Sequence, residues 1–98
     1  MKLQKPAVAG TLESSDVQIT VEPCANGVEI DLDSIVKVQF GDQIIQTTHQ
    51  VLAQMEVTEA RISIMDKGAL DSTLRARLQC ALCRASEQSY PWGEEGFL

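Results

Sequence analysis

The sequence predicts an α/β (α+β) two-layer sandwich, with about three strands covered on one face by two helices, in the order strand-strand-helix-strand-helix. Three observations lead there. Three short stretches alternate apolar and polar residues with a period of two, the mark of a half-buried strand. Two longer stretches place apolar residues at helical spacing. A helix separates the second strand from the third, which permits a right-handed parallel crossover.

The first strand is read from Val17, Ile19 and Val21, which alternate with Gln18, Thr20 and Glu22. Pro23 ends it, and Cys24-Ala-Asn-Gly27 reads as a turn in which Asn26 and Gly27 accept positive φ. Val28, Ile30 and Leu32 alternate with Glu29, Asp31 and Asp33 to give the second strand. The two are expected to pair as an antiparallel hairpin with one wet, acidic face.

Asp33 or Ser34 is placed to cap the helix that follows. On a helical wheel Val38, Phe40, Gly41, Ile44, Ile45, Thr48, Val51, Leu52 and Met55 share one broad face, opposite Gln39, Asp42, Gln46 and Gln50. Gly41 lies in the middle of that stripe, where it costs roughly 1 kcal/mol relative to alanine. A close approach of the helix to its neighbour is the expected reason for it. Ala60, Ile62 and Ile64 alternate with Arg61 and Ser63, so residues 59–65 are expected to form the third strand. Asp66-Lys67-Gly68 is a tight connection into a second helix, from about Ala69 to Ala85, with Leu70, Leu74, Leu78, Ala81, Leu82 and Ala85 inward and Arg77 and Arg84 at the border. Residues 86–98, with Pro91, Gly93 and Gly96, read as an irregular tail.

Ninety-eight residues suit one domain spanning 1–98, large enough to bury a modest core without metal or disulfides. The net charge of −6 opposes nonspecific binding to nucleic acid or to an anionic membrane, so neither is an expected partner. No apolar run approaches a membrane span, and residues 1–15 lack the apolar core of a secretory signal. Three cysteines, Cys24, Cys80 and Cys83, are an odd number and fit reduced thiols and a cytoplasmic location.

Few residues suggest chemistry. Cys80-Ala-Leu-Cys83 falls late in a helix, whereas a redox pair opens one. Only Cys24 and His49 remain to complete a zinc set, so these cysteines read as incidental, on the outer side of the helix, and no metal is expected. His49 lies at the edge of an apolar stripe with no paired nucleophile. Glu29, Asp31 and Asp33 make an acidic strand face, ordinarily just solvated. Arg75, Arg77 and Arg84 could meet phosphates or pair within the chain. Tyr90, Trp92 and Phe97 concentrate three of the four aromatic residues in the tail, either to dock on a partner or to cover the core. No catalytic residue is expected.

The stretch Glu13-Ser-Ser-Asp16 is the exception. By composition it is an exposed serine loop. Together with Pro-Ala-Val-Ala-Gly-Thr-Leu before it (6–12), Gln-Phe-Gly-Asp (39–42), Asp-Lys-Gly-Ala-Leu-Asp (66–71), Leu-Arg-Ala-Arg-Leu (74–78) and Pro-Trp (91–92), it resembles the acyl carrier (gamma) subunit family of citrate lyase, in the same order and over nearly the whole chain. The resemblance implies a subunit without an active site of its own. It implies that Ser14 carries a covalent 2'-(5''-phosphoribosyl)-3'-dephospho-CoA group through a phosphodiester, whose thiol bears acetyl and citryl groups while citrate is cleaved to acetate and oxaloacetate. It implies as partners the alpha subunit (acetyl-carrier:citrate transferase), the beta subunit (citryl-carrier lyase) and a holo-carrier synthase that attaches the group. Physics alone does not choose between Ser14 and Ser15. Asp71-Ser72 superficially resembles the Asp-Ser-Leu of helical carriers, but Thr73 stands where leucine belongs. Sister carriers, of citramalate lyase or malonate decarboxylase, and a small α/β binding module without cofactor are the alternatives.

Overall fold

The computed structural model describes residues 1–87. It contains strands β1 (Ala7–Gly10), β2 (Val17–Glu22) and β3 (Val28–Ser34), helix α1 (Lys37–Gln54), strand β4 (Ala60–Asp66) and helix α2 (Asp71–Ser86). The strands form one sheet in the order β1-β2-β4-β3. The α+β class is as the sequence predicts, with one strand more. Residues 7–10, read from sequence as part of a loop, pair antiparallel with β2. Four small residues are too short a run to show a period, and the pairing is tertiary.

The predicted hairpin does not form. β2 pairs antiparallel with β4, and β3 pairs with β4 in parallel, so β4 lies between the two strands expected to be neighbours. The physical reason is visible along one row of the sheet. Arg61 on β4 stands between Glu22 on β2 and Glu29 on β3, at 3.4 and 3.2 Å. A direct hairpin would bring those carboxylates together with no cation between them. The central place also goes to the strand with the fuller apolar face: Ala60, Ile62 and Ile64 are essentially inaccessible, while the inward residues of β3 are only half-buried. The crossover from β3 through α1 to a parallel β4 is as expected.

Register builds the core. Ala9, Ile19, Ile64 and Leu32 form one row across the sheet, and Ala7, Val21, Ile62 and Ile30 the next. Against this face α2 packs over β1 and β2, and α1 over β3, with the helices also touching each other. Leu74, Leu78, Ala81, Leu82 and Ala85 of α2 and Ile44, Thr48, Val51 and Leu52 of α1 are among the buried helical residues of that layer. The other sheet face carries Thr20, Arg61, Glu29, Asp31 and Asp33, all exposed. No helix among the described residues is long and apolar enough to cross a membrane.

Four details depart from the sequence reading. Val38 and Phe40 do not reach the core: Val38 is fully exposed and Phe40 half-exposed, both standing in the first turn of α1 ahead of Gly41, where its buried face begins. Ser34 does not cap α1. It ends β3, its hydroxyl accepts from Val36 N–H at 3.1 Å and donates to Asp66 at 2.8 Å, and Val36 takes the cap position without a side-chain bond. Leu70 precedes α2 in an extended conformation and is exposed. Cys83 is buried rather than on the outer side of α2, and burial, helped by the neighbouring Cys80, pushes its thiol up to about 11. Ser86 still belongs to α2. The rest of the predicted tail, with Tyr90, Trp92 and Phe97, lies outside the described residues.

Gly41 also reads differently in three dimensions. A Cβ there would sit 3.2 Å from Lys37 Cγ and 3.8 Å from a Leu32 methyl. The lysine stem can yield and the leucine contact is ordinary, so no close approach requires glycine. Gly41→Ala is expected to raise stability by up to about 1 kcal/mol through helix propensity, read as a higher midpoint in urea denaturation. A fall would restore the close-approach explanation.

Candidate functional site: a braced serine turn

The serine segment joins β1 to β2 at the end of the sheet where β3 and β4 also finish. Its backbone is tied at both sides. Asp16 N–H donates to Glu13 O at 3.1 Å, closing a turn over Ser14 and Ser15. Ser15 N–H donates to Lys67 O at 2.8 Å, and Lys67 N–H donates to Asp16 O at 2.9 Å. The turn is thus bonded to the connection between β4 and α2 as a strand would be. Ser15 takes φ 65°, a left-handed conformation that this tight reversal demands.

Asp16 is the fastener. Its carboxylate accepts from Thr11 Oγ1 at 2.6 Å, from Val17 N–H at 2.8 Å, and from Arg77 of α2 at 3.0 and 3.2 Å. Thr11 in turn accepts from Glu13 N–H at 3.2 Å. The Thr11 hydroxyl, the Val17 amide and the Arg77 guanidinium all favour the charged form, and they hold the carboxyl at about 2 against an ordinary 3.8. Its side chain is 15% exposed against 41% for that of Arg77, so the bonds to Val17 and Arg77 are partly shielded from water while the Thr11 bond lies in the open.

The sign of the pH effect follows. A carboxyl with a lowered folded value stabilises the fold above its unfolded value, and that contribution fades as pH falls from about 4 to about 2. A carbon-detected NMR titration is expected to find the Asp16 midpoint near 2. In Arg77→Met it is expected to rise, with a smaller loss of stability across that window.

Ser14 itself is exposed at the tip of this turn, and its hydroxyl has no hydrogen-bond partner among the described residues. No histidine or other base among the described residues is bonded to it. What the arrangement offers is a free hydroxyl on a rigid mount, open to a modifying enzyme and unable to attack on its own. Ser15, also exposed, is the residue whose backbone does the holding.

The other sequence candidates are placed elsewhere. Ser72 is exposed in the first turn of α2, beside Asp71, which Arg75 and Thr47 hold ionised. The three arginines are all engaged within the chain: Arg75 with Asp71 and Gln50, Arg77 with Asp16, and Arg84 with Val8 O. Glu29 is occupied by Cys24 and Arg61. His49 is exposed on α1. No cluster of three metal-ligating side chains occurs among the described residues. The sequence reading missed the brace made by Gly10, Thr11, Asp16, Lys67 and Arg77. Its only local signal was a Gly followed by hydroxyl and acidic residues; Arg77 lies 61 positions away from Asp16.

Comparison with known proteins bears on the family and the fold. Residues 4–85 match the family model described as malonate decarboxylase delta subunit (MdcD). The citrate lyase acyl carrier protein of Haemophilus ducreyi is 52% identical over 92 residues, covering 94% of this chain and 96% of that protein. That of Clostridium perfringens is 47% identical over 95 residues, covering 95% and 94%. In the crystal structure of a Pseudomonas malonate decarboxylase hetero-tetramer in complex with malonate, one chain shares this fold with a TM-score of 0.60 at 19% identity, covering 87% of this chain and 92% of that one. Identity of about half over nearly the full length of both chains, with an acyl carrier family model matched over most of this one, places the protein: it belongs to the citrate lyase acyl carrier protein (gamma subunit) family.

Proposed function

We propose that this chain is the acyl carrier subunit of a citrate lyase, modified on Ser14, and that it performs no catalysis itself. The observation that carries the reading is the exposed Ser14, without a hydrogen-bond partner among the described residues, on a turn fastened at Asp16 and Lys67. The chain's near-full-length likeness to carriers of that name supports it. The group expected there is 2'-(5''-phosphoribosyl)-3'-dephospho-CoA, which when bound supplies a terminal thiol for acyl transfer. The residues present suit it: a hydroxyl open enough for a phosphodiester, no base bonded to it among the described residues, and a mount fastened by hydrogen bonds. The turn fixes where the group begins, and the tether keeps the thiol at high effective concentration near the subunits that use it.

Those subunits are expected to be an acetyl-carrier:citrate transferase and a citryl-carrier lyase, with a dedicated synthase loading the group in the cytoplasm. A malonate decarboxylase carrier is the second reading, favoured by the family description and the shared fold. Reconstituting the loaded chain with each set of partner subunits and offering citrate, citramalate and malonate separates them. Turnover of citrate alone is expected; turnover of malonate alone would move the protein to the sister complex.

A further inference from the structure

A groove of about 290 Å³ opens at the same end of the sheet as Ser14. Val36, Phe40 and Ile44 form one side of it, and Gly68, Leu70 and Leu74 the other. Phe40 and Leu70 are 51% and 73% exposed, an unusual fate for large apolar side chains on facing walls. Gln43, Asp66 and Asp71 supply its polar atoms.

The groove is close to the serine. Ser15 N–H is bonded to Lys67 O, and the next residue, Gly68, is part of the wall. Summing standard bond lengths along that path puts Ser14 Cα within about 10 Å of Gly68 Cα. A group anchored on Ser14 therefore reaches the groove without leaving this end of the molecule.

We infer that the groove holds the adenine base of the group on Ser14 while the thiol end is idle, an inference that rests on the function proposed above. Reach selects the base, because it is joined to Ser14 through one phosphate and two riboses, whereas the pantetheine lies beyond a further pyrophosphate. Surface selects it too. A flat ring with apolar faces stacks on an aromatic side chain whatever its orientation, and Phe40 offers such a face. The Gln43 amide carries a donor and an acceptor side by side, the pairing that matches an adenine edge. Charge disfavours the alternatives near the groove: Asp71 is paired with Arg75, but Asp66 has no cationic partner among the described residues and repels a phosphate, so the pyrophosphate and the arm beyond it point away. Tethering makes weak binding sufficient.

The test compares the full chain in its unmodified and loaded forms by NMR, with loading verified by intact mass. The expected result is large shifts at Phe40, the Gln43 side-chain amide, Gly68 and Leu70, with nuclear Overhauser contacts from adenine H2 or H8 to the Phe40 ring. In loaded Phe40→Ala those contacts vanish and Gly68 and Leu70 return to their unmodified positions. Leu70→Ser, at an exposed site, gives a second comparison should Phe40→Ala fold poorly. A loaded chain whose shifts are confined to residues 11–16 overturns the inference while leaving the carrier function intact. Contacts from the pantetheine methyls in place of adenine overturn the assignment of the base. A chain from which loading is absent in its native host overturns both.

Discussion

Gly10→Ala is expected to be the most destabilising single methyl that can be added to the described fold. Gly10 ends β1 with φ +89°, where an L side chain is strained. A Cβ there would fall far inside the contact distance of the Val17 carbonyl oxygen, which is backbone in the neighbouring strand and cannot step aside. It would also press on Arg77 Cδ at 3.3 Å, the stem of the guanidinium that holds Asp16. The substitution therefore opens the β1–β2 corner and loosens the serine turn together. A loss of about 3 kcal/mol or more is expected, equivalent to roughly 15 °C in thermal midpoint for a domain this size. Differential scanning calorimetry reads it directly. A loss under about 0.5 kcal/mol, the range of neutral surface changes, would mean that this corner is far more pliable than drawn.

Ser14→Ala is expected to have the largest effect on function and almost none on the fold. The side chain is exposed and makes no hydrogen bond among the described residues, so stability should stay within the range of surface changes, about 0.5 kcal/mol. Loading by the synthase should be lost completely, and with it all turnover by a reconstituted complex. Ser15→Gly is the informative contrast. Ser15 contributes its N–H to Lys67 O and a left-handed backbone to the turn, both of which glycine keeps. That variant should load and support turnover, with stability unchanged or slightly raised. Loading that survives Ser14→Ala but is lost in a folded Ser15→Ala would move the site by one residue.

The elements that were legible in the sequence are those whose signal is local and periodic. Val17–Val21 and Ala60–Ile64 announced strands by alternation, and the apolar spacings through Val51 and Leu78 announced helices. β1 was not legible, since Ala-Val-Ala-Gly has no period to read and exists as a strand only because β2 offers it an edge. Nor was strand order: Cys24-Ala-Asn-Gly27 looks like a hairpin turn, and nothing local reveals that Arg61 will part Glu22 from Glu29. Phe40 and Leu70 fit their helical stripes by angle, yet Phe40 stands in the first turn of α1 ahead of its buried face, and Leu70 sits before α2 in an extended conformation. At the site, Ser14 was singled out in the sequence only through a resemblance spread over the chain. Its mount was not, because Asp16 gains its meaning from Arg77 and from a backbone bond to Lys67, contacts that only the folded topology supplies.

The most direct test is the mass of the protein as its own cells make it. The chain would be purified within its complex from cells fermenting citrate, weighed intact, and mapped through a peptide spanning residues 6–37. The account predicts one added phosphoribosyl-dephospho-CoA group, located on Ser14. An unmodified Ser14 in an active complex, or a group found on Ser72 instead, would contradict it.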